Sequence, residues 1–263
     1  MTHRSSLFLL VLALWIPAQT VSAQTFREVS GLGELFRAQG VTGTFVLFDR
    51  EADTMLVWNE ARAKKRFTPA STFKIANSII GLDTGAVKDV DEILPYGGKP
   101  QRIKEWERDM GLRDAIKISN VAIYQELARR IGLERMRAGV KRLGYGNMEI
   151  GEVVDRFWLD GPLAISAVEQ TEFLGRLVDK KLPVSSGAIR AVTEITVAET
   201  TEAYELHAKA GWLFEEKLGW WVGWVVRDGK AYPFALNIDL PSDTDAAKRI
   251  PLGRECLRSL GKL

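Results

Sequence analysis

The chain has 263 residues, 46% hydrophobic and 27% charged, enough for one large domain with a sizeable core, which excludes disorder and collagen-like order. Lys and Arg total 36 against 34 Asp and Glu, a formal +2 with no long run of either sign, so no nucleic-acid surface is suggested and a small-molecule partner fits better. A lone cysteine, Cys256, can form neither an intrachain disulfide nor a thiolate metal site, and two histidines are too few for a His-rich one, so no metal is expected.

At the N-terminus Arg4 precedes an unbroken apolar run from Leu7 to Ile16, and Val21-Ser22-Ala23 offers small residues for cleavage before Gln24. Residues 1–23 read as a secretory signal peptide, because the run is far shorter than the ~20 residues a membrane span needs. Residues 24–263 are then one exported, periplasmic domain with no stable membrane anchor, monomeric or homodimeric. Cleavage removes His3 and leaves His207 as the sole histidine, which any Ser-His triad would have to use.

Val41 to Phe48 and Thr54 to Trp58, separated by a polar turn, predict a hairpin. From Ser71 the period becomes helical, with Phe73, Ala76, Ile79 and Ile80 on one face, and the pattern ends near Gly81 to Gly85. Helical patterns follow in Gln101–Met110, Asn120–Ile131, Leu133–Leu143, Ser166–Lys180 and Ser186–Val192. Strands are predicted over Tyr204–Lys209, Gly219–Arg227 and Ala231–Asp239, the last two joined by an Asp228-Gly229 turn. Trp220, Trp221 and Trp224 would pack on both sheet faces. Asp243–Leu260 closes the chain as an amphipathic helix with Ile250, Leu252, Cys256, Leu257 and Leu260 in the core. The fold class is α+β: an antiparallel sheet drawn from both chain ends, flanked by helices, with a mostly helical lobe inserted between.

Four segments could carry chemistry. In Thr68-Pro69-Ala70-Ser71-Thr72-Phe73-Lys74, a serine and a lysine three apart share a helix face. A serine nucleophile needs oxyanion donors, which a helix start supplies, and a base. A lysine serves as that base only if burial makes its neutral form accessible. The same segment also fits an N-capping serine beside a solvated lysine, and Ser119, at the start of the Asn120 helix, fits a cap equally well. His207-Ala208-Lys209-Ala210-Gly211-Trp212 lies on a strand, with His207 and Lys209 on one face and Gly211 open to close approach. Tyr145-Gly146-Asn147 reads as a turn and Phe157-Trp158-Leu159-Asp160-Gly161 as an aromatic loop.

Taken in order, Ser-x-x-Lys, Ser-x-Val, Tyr-Gly-Asn, Phe-Trp-Leu-x-Gly and Lys-x-Gly before Trp-Trp-Val-Gly-Trp resemble the class D, oxacillinase-type serine β-lactamases, from about Thr42 to Arg258. The resemblance implies a β-lactamase/transpeptidase-like fold and hydrolysis of penicillin-type antibiotics, hence resistance. It makes Ser71 the acylated nucleophile and Lys74 the base, modified by carbon dioxide drawn from bicarbonate. Trp158 would hold that group, Val121, Phe73 and Leu159 would keep the pocket apolar, and Ser119 would relay a proton in the field of Lys209. Ser71 and Trp212 would supply oxyanion N–H groups beside Gly211, and Arg249 would pair with the substrate carboxylate. Ile103 and Trp106 would line the cleft. Ala210 departs from the family's usual threonine, predicting altered recognition with turnover retained. A penicillin-binding protein or a β-lactam sensor, acylated at Ser71 but slow to deacylate, shares these motifs.

Overall fold

The computed structural model describes residues 25–263; the expected signal peptide lies outside them. Seven strands form one sheet: β1 Thr25–Glu28, β2 Gly43–Asp49, β3 Thr54–Trp58, β4 Val197–Thr200, β5 Glu205–Leu213, β6 Leu218–Arg227 and β7 Lys230–Asp239. Their order is β1-β3-β2-β7-β6-β5-β4, so the first hairpin meets the last strand of the chain in the middle of the sheet. The sheet is mixed and not purely antiparallel, because the short edge strand β1 runs parallel to β3. That pairing is possible because helix α1, Ser30–Ala38, and β2 intervene before β3.

The turn chemistry explains the hairpins. Arg227 pairs directly with Lys230, and Asp228 and Gly229 both take positive φ, 52° and 71°. This is the two-residue turn that an Asp-Gly pair favours. The alternation in β6 sends Trp220 and Trp224 to one face and Trp221 to the other, as expected.

Against the Trp221 face lie α1 and α9, Arg249–Ser259. Gly253 lets α9 settle there, since an added Cβ would come within 2.2 Å of the Trp221 ring. The closing helix is shorter than predicted: Asp243–Lys248 is a 3-10 segment, and α9 begins at Arg249. Pro251 falls in its first turn, where a missing N–H costs nothing. Leu252, Cys256 and Leu257 are buried, but Ile250 is 43% exposed and Leu260 only half-buried.

On the other face, α3, Lys74–Asp83, is buried along its length from Lys74 to Gly81. It is surrounded by α5 (Val121–Ile131), α6 (Leu133–Leu143) and α8 (Ser186–Ile195), while α7 (Ala167–Val178) lies on β7 and β2. The predicted helix at Gln101–Met110 is instead a loop with one 3-10 turn, Lys104–Trp106. Acidic side chains there take backbone donors, Glu107 that of Gln101 at 3.1 Å and Asp109 that of Tyr96 at 3.0 Å. Such bonds compete with helical ones. Helices α1, α2 (Glu60–Ala63) and α4 (Leu112–Lys117) and strand β4 were not evident in the sequence pattern. No helix among the described residues is long and apolar enough to cross a membrane.

Candidate active site

The chain enters α3 through a strained turn. Ala70 has a φ of 51°, a left-handed conformation that costs a non-glycine residue roughly 1–2 kcal/mol, and the bend presents Ser71 in the one-turn 3-10 helix Ala70–Phe73. Outside contacts hold the strain. The Ala70 N–H donates to the Trp158 carbonyl at 3.0 Å, and the Trp220 indole donates to the Thr68 carbonyl at 3.0 Å. The Thr72 hydroxyl closes on the Pro69 carbonyl at 2.7 Å. The close approach expected at Gly211 is made by this turn itself: a Cβ there would lie 3.2 Å from the Pro69 carbonyl oxygen.

Ser71 caps no helix. Its hydroxyl accepts a hydrogen bond from Lys74 Nζ at 2.8 Å, and Lys74 is fully buried. Burial holds the Lys74 amine well below the ordinary lysine range, and the nearby charge of Lys209 pushes the same way. Among the described residues no carboxylate is paired with it to restore the charge. Burial thus brings the neutral form of this amine closer to reach than it is in water.

Ser119 stands across from Ser71 and also has a positive φ, 59°. The capping role falls to the next residue: Asn120 accepts from the Ile123 N–H at 3.2 Å and donates to the Trp106 carbonyl at 3.1 Å. Trp106 returns a bond from its indole to the Ile118 carbonyl at 3.0 Å. With Asn120 as cap, the Ser119 side chain is left to line the cleft. Two strained residues flanking one cavity are the pattern of a functional site.

Trp158 is fully buried, stacked on Phe73 with ring centroids 5.6 Å apart and edge-on to Phe157 at 5.0 Å. Its indole N–H has no partner, one of three such buried side-chain groups among the described residues. An unpaired buried donor costs about 1–3 kcal/mol. The Tyr-Gly-Asn turn anchors the loop carrying Trp158: Asn147 donates to the Pro162 carbonyl at 2.9 Å and accepts from the Ala164 N–H at 3.0 Å. Gly146 is required there, because a Cβ would fall 2.2 Å from the Ala164 carbonyl oxygen.

On β5, Lys209 is buried and donates to the Ala210 carbonyl at 2.8 Å. Burial, helped by the charge of Arg249, pushes its amine down to about 7. Arg249, half-buried at the start of α9, donates to the carbonyls of Ala246 at 2.6 Å and of Gly211, and burial lowers it to about 10. Neither cation has a carboxylate partner among the described residues, which leaves both for a bound anion. His207 lies elsewhere, buried against Trp224 at 4.3 Å with Nδ1 on the Thr193 carbonyl and Nε2 on Glu205. It is structural.

A cleft of about 500 Å³ joins these parts. Ser71, Ser119, Val121, Leu159, Lys209, Ala210, Gly211, Trp212 and Arg249 line it, with Ile103 and Trp106 at the rim. Lys74, Phe73 and Trp158 lie behind its wall. A family model for the penicillin-binding protein transpeptidase domain matches residues 41–258. The chain is 38% identical to β-lactamase OXA-10 of Pseudomonas aeruginosa over 249 residues, 93% of this chain and 94% of that protein. Its likeness to β-lactamase OXA-48 of Klebsiella pneumoniae is 38% over 256 residues, covering 97% and 96%. The crystal structure of FUS-1 (OXA-85), a class D β-lactamase from Fusobacterium nucleatum subsp. polymorphum, superposes with a TM-score of 0.87 at 41% identity, covering 90% of this chain and all of that one.

The chain belongs to the class D β-lactamases. Within that family framework, the cleft also contains residues that sequence reasoning missed: Arg102, Lys117, Phe214 and Glu216. Glu216 ties the β5–β6 loop to the turn before Ser71 by accepting from the Thr68 hydroxyl at 2.7 Å. Phase along β5 could have suggested Phe214, two residues beyond Trp212, but no periodicity marks the others.

Proposed function

We propose that this class D β-lactamase is an exported, periplasmic enzyme that confers resistance by hydrolysing penicillin-type β-lactams through an acyl-enzyme on Ser71. The observation that carries the reading is the fully buried Lys74 amine 2.8 Å from the Ser71 hydroxyl, where burial favours its neutral form. A carbamate on Lys74 fits this site: the neutral amine is nucleophilic toward carbon dioxide, and the unpaired Trp158 indole N–H is a donor suited to an anionic oxygen. When present, that group supplies an oxygen base.

In the proposed sequence Ser71 Oγ attacks the lactam carbonyl carbon and its proton passes to the Lys74 side. Backbone N–H groups of Ser71 and Trp212 receive the developing oxyanion. The lactam C–N bond breaks, and Ser119 hands a proton to the departing nitrogen under the positive field of Lys209. Arg249 holds the substrate carboxylate. The Lys74 side passes the first proton on to Ser119; a water molecule then gives a proton to the Lys74 side as it adds to the ester carbonyl, and that proton returns to Ser71 Oγ as the acid product leaves. Lys74 and Trp158 are fully buried, which keeps the base desolvated.

Mixing the protein with benzylpenicillin, with and without added bicarbonate, and following hydrolysis and intact mass tests the reading. Steady turnover that rises with bicarbonate is expected; a persistent stoichiometric adduct would assign the chain to the slow-deacylating penicillin-binding or sensor role instead. Ala210 lines the cleft beside Lys209. A hydrogen bond to a charged group is worth about 1.5–3 kcal/mol, so Ala210→Thr should shift catalytic efficiency roughly tenfold to a hundredfold for substrates whose carboxylate the new hydroxyl reaches. Unchanged kcat/KM for every substrate would contradict this.

A further inference from the structure

Four side chains form a continuous stack along one wall of the cleft. The Arg102 guanidinium lies 3.5 Å from the Phe214 ring centroid, Phe214 lies 4.2 Å from Trp212, and Trp212 faces the Arg249 guanidinium at 5.6 Å. All four line the cavity. The stack connects the two rims, since Arg102 belongs to the irregular segment ahead of α4 and Phe214 to the loop after β5.

The inner cation, Arg249, is fixed by two carbonyls and faces the substrate carboxylate in the mechanism above. The outer cation, Arg102, is exposed and makes no ion pair among the described residues. Acids on the same wall are engaged elsewhere, Glu216 by Thr68 and Asp160 by Arg156, while Glu215 is exposed and unpaired. Seating a guanidinium on an aromatic face fixes its plane and leaves its N–H edge free for an anion.

In a penicillin the ring carboxylate and the acylamino side chain project from opposite ends of the fused rings. With the carboxylate on Arg249, the side chain runs along the stack toward Ile103, Trp106 and Arg102. We propose that Arg102, held on Phe214, is a specificity-determining residue that takes a second anionic group on the substrate's acyl side chain. The inference rests on the β-lactam reading of the site.

The test compares α-carboxybenzylpenicillin with benzylpenicillin, which differ by one side-chain carboxylate. The readout is the ratio of their kcat/KM values in the unmodified protein, Arg102→Gln and Arg102→Lys, at about 50 mM and about 500 mM salt. Exposed ion pairs are worth up to about a fivefold change. The ratio should fall by about that factor in Arg102→Gln and be partly retained in Arg102→Lys; it should drop with salt in the unmodified protein, less in Arg102→Lys and not in Arg102→Gln. A ratio unmoved by Arg102→Gln, or insensitive to salt in the unmodified protein, overturns the proposal. Failure of the unmodified protein to hydrolyse either penicillin is a different result: it overturns the hydrolase reading, and the proposal with it.

Discussion

Lys74→Ala should abolish turnover, lowering kcat by at least about a thousandfold, the range typical of losing a general base. The two other nitrogen bases nearest in kind are engaged elsewhere. His207 is committed to Trp224, Thr193 and Glu205 and does not line the cleft, and Lys209 is bonded to the Ala210 carbonyl. Because both chemical steps send a proton toward Lys74, the variant should acylate slowly and then retain the adduct, which intact mass would reveal. Full activity in Lys74→Ala would sink the mechanism.

A companion variant separates chemistry from folding. Lys74→Met keeps most of the side-chain volume and removes a buried amine whose folded pKa lies far below its unfolded value of about 10.4. At neutral pH the unfolded chain therefore holds this proton more firmly than the folded chain does, which penalises folding. Stability lost in this way returns as pH rises toward 10.4. In bicarbonate-free buffer Lys74→Met should melt above the unmodified protein at pH 7, by several degrees, and the gap should narrow by pH 10. An inactive variant that melts higher would show that the site trades stability for reactivity.

The legibility of the molecule in its sequence follows from what each feature depends on. The hairpins at Asp228-Gly229 and before Thr54, the helices at Asn120, Leu133, Ser166 and Ser186, and the two-faced Trp220-Trp221 strand are local in origin, and the structure agrees with them. Helix α6 matches its predicted bounds, Leu133 and Leu143. Segments decided by tertiary partners were misread: Gln101–Met110 has helical periodicity, but side-chain carboxylates and Trp106 fasten it as a loop. Strand β1 is too short to announce itself and exists through its pairing with β3.

The site divides similarly. Ser71 and Ser119 were each compatible with helix capping, and only the backbone decided the matter. Asn120 caps α5, positive φ values fall at Ala70 and Ser119, and both Ser71 and Ser119 line the cleft. The burial of Lys74 is a property of α3 being enclosed by α5, α6 and α8 and could not be read from Ser-x-x-Lys alone. Arg102 and Phe214 meet only because two loops from distant parts of the chain close over one cavity.

Trp158→Phe should weaken the response to bicarbonate without dismantling the aromatic cluster. The substitution preserves a ring that can stack on Phe73 and meet Phe157, and it deletes only the indole N–H and some ring area. If that donor holds an anionic oxygen on Lys74, its loss costs about 1.5–3 kcal/mol, so the bicarbonate concentration for half-maximal activity should rise roughly tenfold to a hundredfold. Melting provides a readout that does not depend on catalysis. A ligand that binds only the folded state raises its stability in proportion to how far its concentration exceeds Kd. Added bicarbonate should therefore raise the Tm of the unmodified protein, do so much less for Trp158→Phe, and leave Lys74→Met unmoved. Equal shifts in all three would place bicarbonate's effect away from Lys74, and the unpaired indole N–H would then need another explanation.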